Sequence, residues 1–289
     1  MTYPAQGYGA YGPDPWRQLS WDARAAGNFI GGGMGGGLIA FTVVSGAGGI
    51  ARVALLLAGL ALVGLGLFCV SLELGRPLRA LNVFRNPRTS WMAREAWTSA
   101  LLVPACLAAA AGAAGTPWLA LLLALLFVYC QARLLQAAKG IPAWREPRLV
   151  PLLVVTGLVE GSGVFLVTAP LHDAATMGLL AAFALLVIAR AFAWRVYRRR
   201  LAGKSSPGAL AALDRAGRVL EIAGTLVPLV VVAAIAAGFV AGSSLLPAAA
   251  VAGLLAALAG AYFKFTLVTR AGFNQGFVLP HLPVRGTRT

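Results

Sequence analysis

Long apolar runs alternate with short polar, mostly basic ones along nearly the whole chain. Eight runs, 26–45, 51–71, 97–115, 117–138, 149–169, 175–194, 219–241 and 245–268, are each close to the ~20 residues a helix needs to cross a bilayer core. None shows the period-two alternation of a barrel strand. Alanine, leucine, valine and glycine dominate them, as in packed transmembrane bundles. The pattern predicts an all-α, polytopic membrane protein, with eight transmembrane helices in two four-helix bundles. The membrane domain is expected over 26–268, with polar tails at 1–25 and 269–289.

Composition agrees with that reading. Of 289 residues, 59% are hydrophobic and 11% charged, where soluble domains carry about 25% charged. The start, "MTYPAQGYGAYGPDPW", is polar and reads as a soluble tail, without the basic and apolar regions of a secretory signal. The net charge of +15 is sided. The N-terminal tail, 72–96, 133–148, 190–218 and the C-terminal end from Lys264 hold 23 of the 24 Lys and Arg residues, leaving Arg52 alone across the membrane. The positive-inside rule therefore predicts that both termini are cytoplasmic. The run "RVYRRRLAGK" at 195–204 fits an interfacial anchor, and the spans leave no nucleic-acid-binding fold.

Metal chemistry has little to work with. Cys69, Cys106 and Cys130 lie inside apolar runs without a C-x-x-C, so they read as buried small side chains rather than iron–sulfur or zinc ligands. The two histidines, His172 and His281, fall in an outer loop and a tail. Neither can pair across a bundle, which excludes a bis-histidine haem site.

Three features carry candidate chemistry. The stretch 72–97, "LELGRPLRALNVFRNPRTSWMAREAW", holds five arginines, two glutamates, two tryptophans and two prolines at a membrane surface. Gly75 and Pro77 imply a sharp exit from the second helix, and Thr89 or Ser90 an N-cap for the third. Such a loop suits a quinone pocket or a docking surface. Glu160 lies about 11 residues into the fifth span, roughly 16 Å deep at 1.5 Å per residue. A carboxylate there is a candidate for a proton path, the alternative being a hydrogen-bonded group inside the bundle. Glu221 and Lys264, at the inner ends of their helices, read as interfacial ion-pair members or snorkelling groups. The third feature is "GNFIGGGMGGGLIAF" at 27–41, with six glycines in seven positions. No strand precedes it and no acid follows about 20 residues on, so it is not a dinucleotide loop. Its G-x-x-x-G spacings predict a slim first helix that admits a neighbouring helix or a flat quinone ring.

The segment "ELGRPLRALNVFRNPRTSWMAREA" resembles the loop after helix 2 in NrfD/DmsC-like membrane anchor subunits of molybdopterin oxidoreductases. Taken with "WDARAAGNFIGGGMGGG", it is similar to the membrane subunit of phenylacetyl-CoA:acceptor oxidoreductase. The resemblance implies a haem-free, quinone-reactive anchor in the bacterial inner membrane. An iron–sulfur subunit would dock on its cytoplasmic face, with a molybdopterin or tungstopterin catalytic subunit beyond. The clusters and the pterin would belong to those partners, and ubiquinone or menaquinone would be the cofactor here. Glu73 stands where DMSO reductase anchors have a histidine before L-G-x-P. Asn28 and Tyr129 match quinone-pocket residues of helices 1 and 4 in placement. The expected quinone site is thus Asn28, Gly32, Gly36, Glu73, Arg76, Tyr129 and Arg133. Glu73 and Glu160 are its proton-handling carboxylates, and Arg79, Arg85, Arg88, Trp91 and Arg94 form the docking surface. The alternatives are the anchor of another cytoplasm-facing complex, such as one oxidising sulfite, a small-molecule transporter, and a scaffold without redox chemistry.

Overall fold

The computed structural model describes residues 14–72, 82–172 and 175–276. Among them the structure is helical, apart from an isolated bridge between Arg17 and Phe273 that ties the N-terminal approach to the exit of the last helix. In chain order the helices are α1 (Ala23–Val44), α2 (Gly49–Ser71), α3 (Trp91–Ala110), α4 (Thr116–Ala137), the single turn α5 (Pro142–Arg145), α6 (Leu149–Thr168), α7 (Met177–Leu201), α8 (Pro207–Glu221), α9 (Val227–Ala236) and α10 (Leu245–Thr269). Five residues of π-helix, Ile222–Leu226, join α8 to α9.

Seven of these units among the described residues are long and apolar enough to cross a membrane: α1, α2, α4, α6, α7, the α8–α9 rod and α10. The eighth long helix, α3, has 20 residues and carries Arg94 and Glu95 in its first turns, which lowers its mean hydropathy. It starts at Trp91 rather than 97, because Ser90 caps it by accepting from the Ala93 N–H at 3.3 Å. Asp22 starts α1 in the same way, accepting from the Arg24 N–H at 2.7 Å.

One difference concerns 190–218, expected as a basic loop. α7 runs on to Leu201, and α8 starts at Pro207 behind the Ser206 cap. Trp194, Tyr197 and Leu201 on α7 and Leu213, Ala216 and Leu220 on α8 keep a helical apolar stripe through the basic run. The charges therefore fall on the remaining faces. Two arginines hold the helices together: Arg198 donates to both Asp214 carboxylate oxygens at 2.5 and 2.8 Å, and Arg195 to Glu221 at 3.1 Å.

α1 is the hub, packed against α2, α4, α6 and α10. α2, α3 and α4 pack with it as one group and α6 to α10 as another, meeting chiefly along the α1–α6 seam. The glycine tract explains how one helix serves so many neighbours. A side chain at Gly31 or Gly35 would strike the α2 backbone at Leu62, Gly66, Gly59 or Val63. At Gly36 it would strike Val128 of α4, and at Gly37 the Gly157 carbonyl of α6. Each G-x-x-x-G pair therefore admits a different helix, and close backbone approach is what small residues provide in a bilayer. Gly161 of α6 fits against Gly37 and Leu38 in the same manner.

Candidate functional site

Among the described residues, two polar clusters are buried inside this apolar bundle, one in each half. The first lies between α1, α3 and α4. Asn28, Glu95 and Gln131 are 3%, 4% and 3% exposed. The Asn28 amide donates to Glu95 Oε1 at 3.3 Å. Gln131 Nε2 donates to the Asn28 backbone carbonyl at 3.0 Å and reaches Asn28 Oδ1 at 3.4 Å. All three sit near the ends of their helices on the side where α1 and α3 begin and α4 ends. The result is one buried carboxyl group bonded by a neutral amide.

The second cluster lies deeper, between α6, α7 and α10. Lys264 Nζ donates to Glu160 Oε2 at 2.6 Å and to the Phe29 carbonyl at 2.9 Å. Both partners of the ion pair are essentially unexposed. Arg190, also fully buried, donates to the Ala256 carbonyl at 2.8 Å and to the Gly224 carbonyl of the π segment. An α-helical bond to the Gly224 carbonyl would have to come from residue 228, a proline without an N–H, so Arg190 adds a donor there. Lys264 is an ion-pair member, as one of its two readings had it, but a buried rather than an interfacial one, and Arg190 is a buried group rather than a loop charge. The positive-inside asymmetry survives without them.

α1 connects the two clusters through consecutive carbonyls. Gln131 takes the carbonyl of Asn28 and Lys264 that of Phe29. In a helix the residues four positions on, Gly32 and Gly33, lie over those carbonyls. A Cβ at Gly32 would collide with the Gln131 amide, and one at Gly33 with the Lys264 ammonium. Two of the glycines therefore clear the way for polar side chains to reach the backbone of α1.

The other expected residues divide. Tyr129 and Arg133 lie on α4 two residues either side of Gln131, about 200° around the helix, and are half-exposed. They join Trp91: its ring meets Tyr129 edge-on at 5.8 Å, and Arg133 and Arg94 lie 4.6 and 4.1 Å from its centroid. Arg94 also donates to the Pro87 and Arg88 carbonyls at 2.8 and 2.6 Å, fixing the turn before α3, while Arg85 and Arg88 are exposed. Glu73, Arg76 and Arg79 lie outside the described residues. The chain just before them is placed by Arg24, which donates to the Leu72 carbonyl at 3.1 Å.

Glu95 and Gln131 were not singled out from the sequence. Glu95 resembled one more charge of a surface loop. A usable signal was there: Glu95, Thr98, Leu102, Ala105 and Ala109 share the buried face of α3, so Glu95 continues an apolar stripe.

Among known families, the DMSO reductase anchor subunit (DmsC) model matches residues 25–236, which run from the first turn of α1 to the end of α9. No curated protein matches the chain.

Proposed function

The chain belongs to the DMSO reductase anchor subunit (DmsC) family, and from that premise we propose that it is the quinone-reactive membrane subunit of a cytoplasm-facing molybdenum or tungsten oxidoreductase. Electrons pass between membrane quinone and an iron–sulfur subunit docked on the face where α1 begins. In this reading both termini are cytoplasmic, as the sided charge indicates. The exposed Arg85 and Arg88 and the 73–81 segment supply the docking surface. An acyl-CoA such as phenylacetyl-CoA is the proposed substrate of the catalytic subunit.

The observation that supports the reading best is the buried Glu95 carboxyl bonded by Asn28 at 3.3 Å, one helical turn from the start of α3. Reducing a quinone to a quinol takes two electrons and two protons, and a positioned carboxyl is a proton-exchanging group suited to that step. Asn28 and Gln131 supply amide donors for a quinone carbonyl. Glu73, two residues beyond α2 in the chain, is the second carboxyl proposed to exchange protons with solvent.

The test is the intact complex, isolated in mild detergent. Co-purifying iron–sulfur and pterin subunits are expected, and Glu95→Gln should slow quinone turnover at least tenfold while assembly persists. A chain that purifies alone and binds no quinone would overturn the reading. Unchanged turnover in Glu95→Gln would remove Glu95 from its role.

A further inference from the structure

The lipid-facing side of α4 changes character along its length in a definite order. Leu119, Leu122 and Leu126 are 48%, 62% and 43% exposed. Tyr129, Arg133 and Gln136 follow at the same three-and-four spacing, so all six share one face. The face therefore runs from apolar, through one aromatic, to basic.

At its basic end the structure has a pocket of about 660 Å³, lined by Thr89, Trp91, Arg133, Gln136, Lys139 and Arg145, with Ala137 between them. It draws on three elements: the start of α3, the end of α4 and the turn α5. Three of the lining residues are cationic and none is acidic. The Arg133 guanidinium is held rather than free to wander. It stacks on Trp91, and its Nη1 reaches the Tyr129 hydroxyl at 3.4 Å. Its Nε is buried with no hydrogen-bond partner among the described residues. The start of α3 adds the partial positive charge of a helix N-terminus.

We propose that this pocket binds the phosphate of an anionic phospholipid, whose acyl chains lie along Leu119, Leu122 and Leu126. Arg133 supplies the fixed donor to the phosphate, and Lys139 and Arg145 complete its neutralisation. The order of the face matches the order of groups in a phospholipid: acyl chains, the ester level where aromatic side chains sit, then the headgroup. A quinone ring is neutral and would leave three cations uncompensated, so Tyr129 and Arg133 suit a lipid better. The inference does not depend on the quinone reading, since Gln131 and Glu95 lie on other faces.

The purified chain, stripped of lipid in detergent, can be titrated with phosphatidylglycerol, with phosphatidylcholine and with inorganic phosphate, and bound lipid counted by native mass spectrometry. One phosphatidylglycerol per chain is expected to persist where phosphatidylcholine does not. Arg145→Gln, an exposed substitution with little bearing on folding, should weaken retention roughly fivefold, and Arg133→Gln at least tenfold, with Arg133→Lys recovering part of it. Exposed Arg199→Gln serves as a control and should change nothing. Equal retention of phosphatidylcholine, or full retention in both Arg145→Gln and Arg133→Gln, would overturn the proposal. So would inorganic phosphate displacing the lipid at equal concentration, which would mark a free-anion site.

Discussion

The two buried clusters are built on opposite principles, although the same helix touches both. In the second half, Glu160 and Lys264 form a closed ion pair at 2.6 Å, and Arg190 ties two backbone carbonyls beside them. In the first half, Glu95 is met by the Asn28 side-chain amide rather than by a cation. Removing a partner from an ion pair in an apolar interior leaves an uncompensated charge. Removing the charge from an amide-bonded carboxyl leaves hydrogen bonds that a neutral group can still make. The first cluster is therefore expected to tolerate a change of protonation better than the second.

The largest effect should come from breaking the ion pair. Lys264→Met is expected to destabilise the protein by about 3–5 kcal/mol, measured by unfolding in a mixed-detergent titration. Lys264→Met with Glu160→Met should be milder than Lys264→Met alone, since no lone charge remains. Equal losses would mean that the pair is not what holds the second half together.

Next in size are the glycines. Gly37→Ala and Gly161→Ala place a methyl against backbone across the α1–α6 seam, so overpacking of about 1–3 kcal/mol is expected. Gly32→Ala meets only the end of the Gln131 side chain. It should cost less stability and instead release Gln131 from the Asn28 carbonyl. A Gly32 variant as unstable as Gly161→Ala would contradict this division.

Smaller in stability but decisive for function is Glu95→Gln beside Glu160→Gln. Glu95→Gln should shift unfolding by less than about 1 kcal/mol while quinone turnover falls. Glu160→Gln should show the reverse, a weaker fold with normal turnover in whatever complex assembles. Matching behaviour of the two variants would erase the contrast.

The smallest effect sits at the surface. The Arg24 side chain, bonded to Asp22 at 3.0 and 3.2 Å, holds that carboxyl below the usual aspartate range. A lowered carboxylate pKa stabilises the fold above the unfolded value and loses that contribution as pH falls through the folded one. Asp22→Asn should flatten the acid side of the stability profile, below about pH 4, by a small amount.

How much was legible from the sequence depends on the range of the interaction. The spans, the cap at Ser90 and the interfacial pairing of Glu221 rest on local pattern, which a chain displays without its partners. Asn28 was named through the family resemblance, by its placement on the first helix. Gln131 and Glu95 were not, because a single polar residue near a helix end looks the same whether it faces a headgroup or another helix. The depth of Lys264 and the burial of Arg190 were missed for a related reason. Their distance from a helix end measures depth along the chain, whereas the direction of a long side chain is chosen by what it can bond.

The sequence by itself determined that this is a helical membrane protein, because twenty apolar residues in a row have no other stable place. It also determined which side is basic and that the first helix would be slim. Only the tertiary structure decided what the slimness is for. Gly32 and Gly33 leave room for Gln131 and Lys264 to take neighbouring carbonyls of α1 from opposite halves of the protein. Those partners lie more than 100 residues away in the chain, and packing alone brings them together.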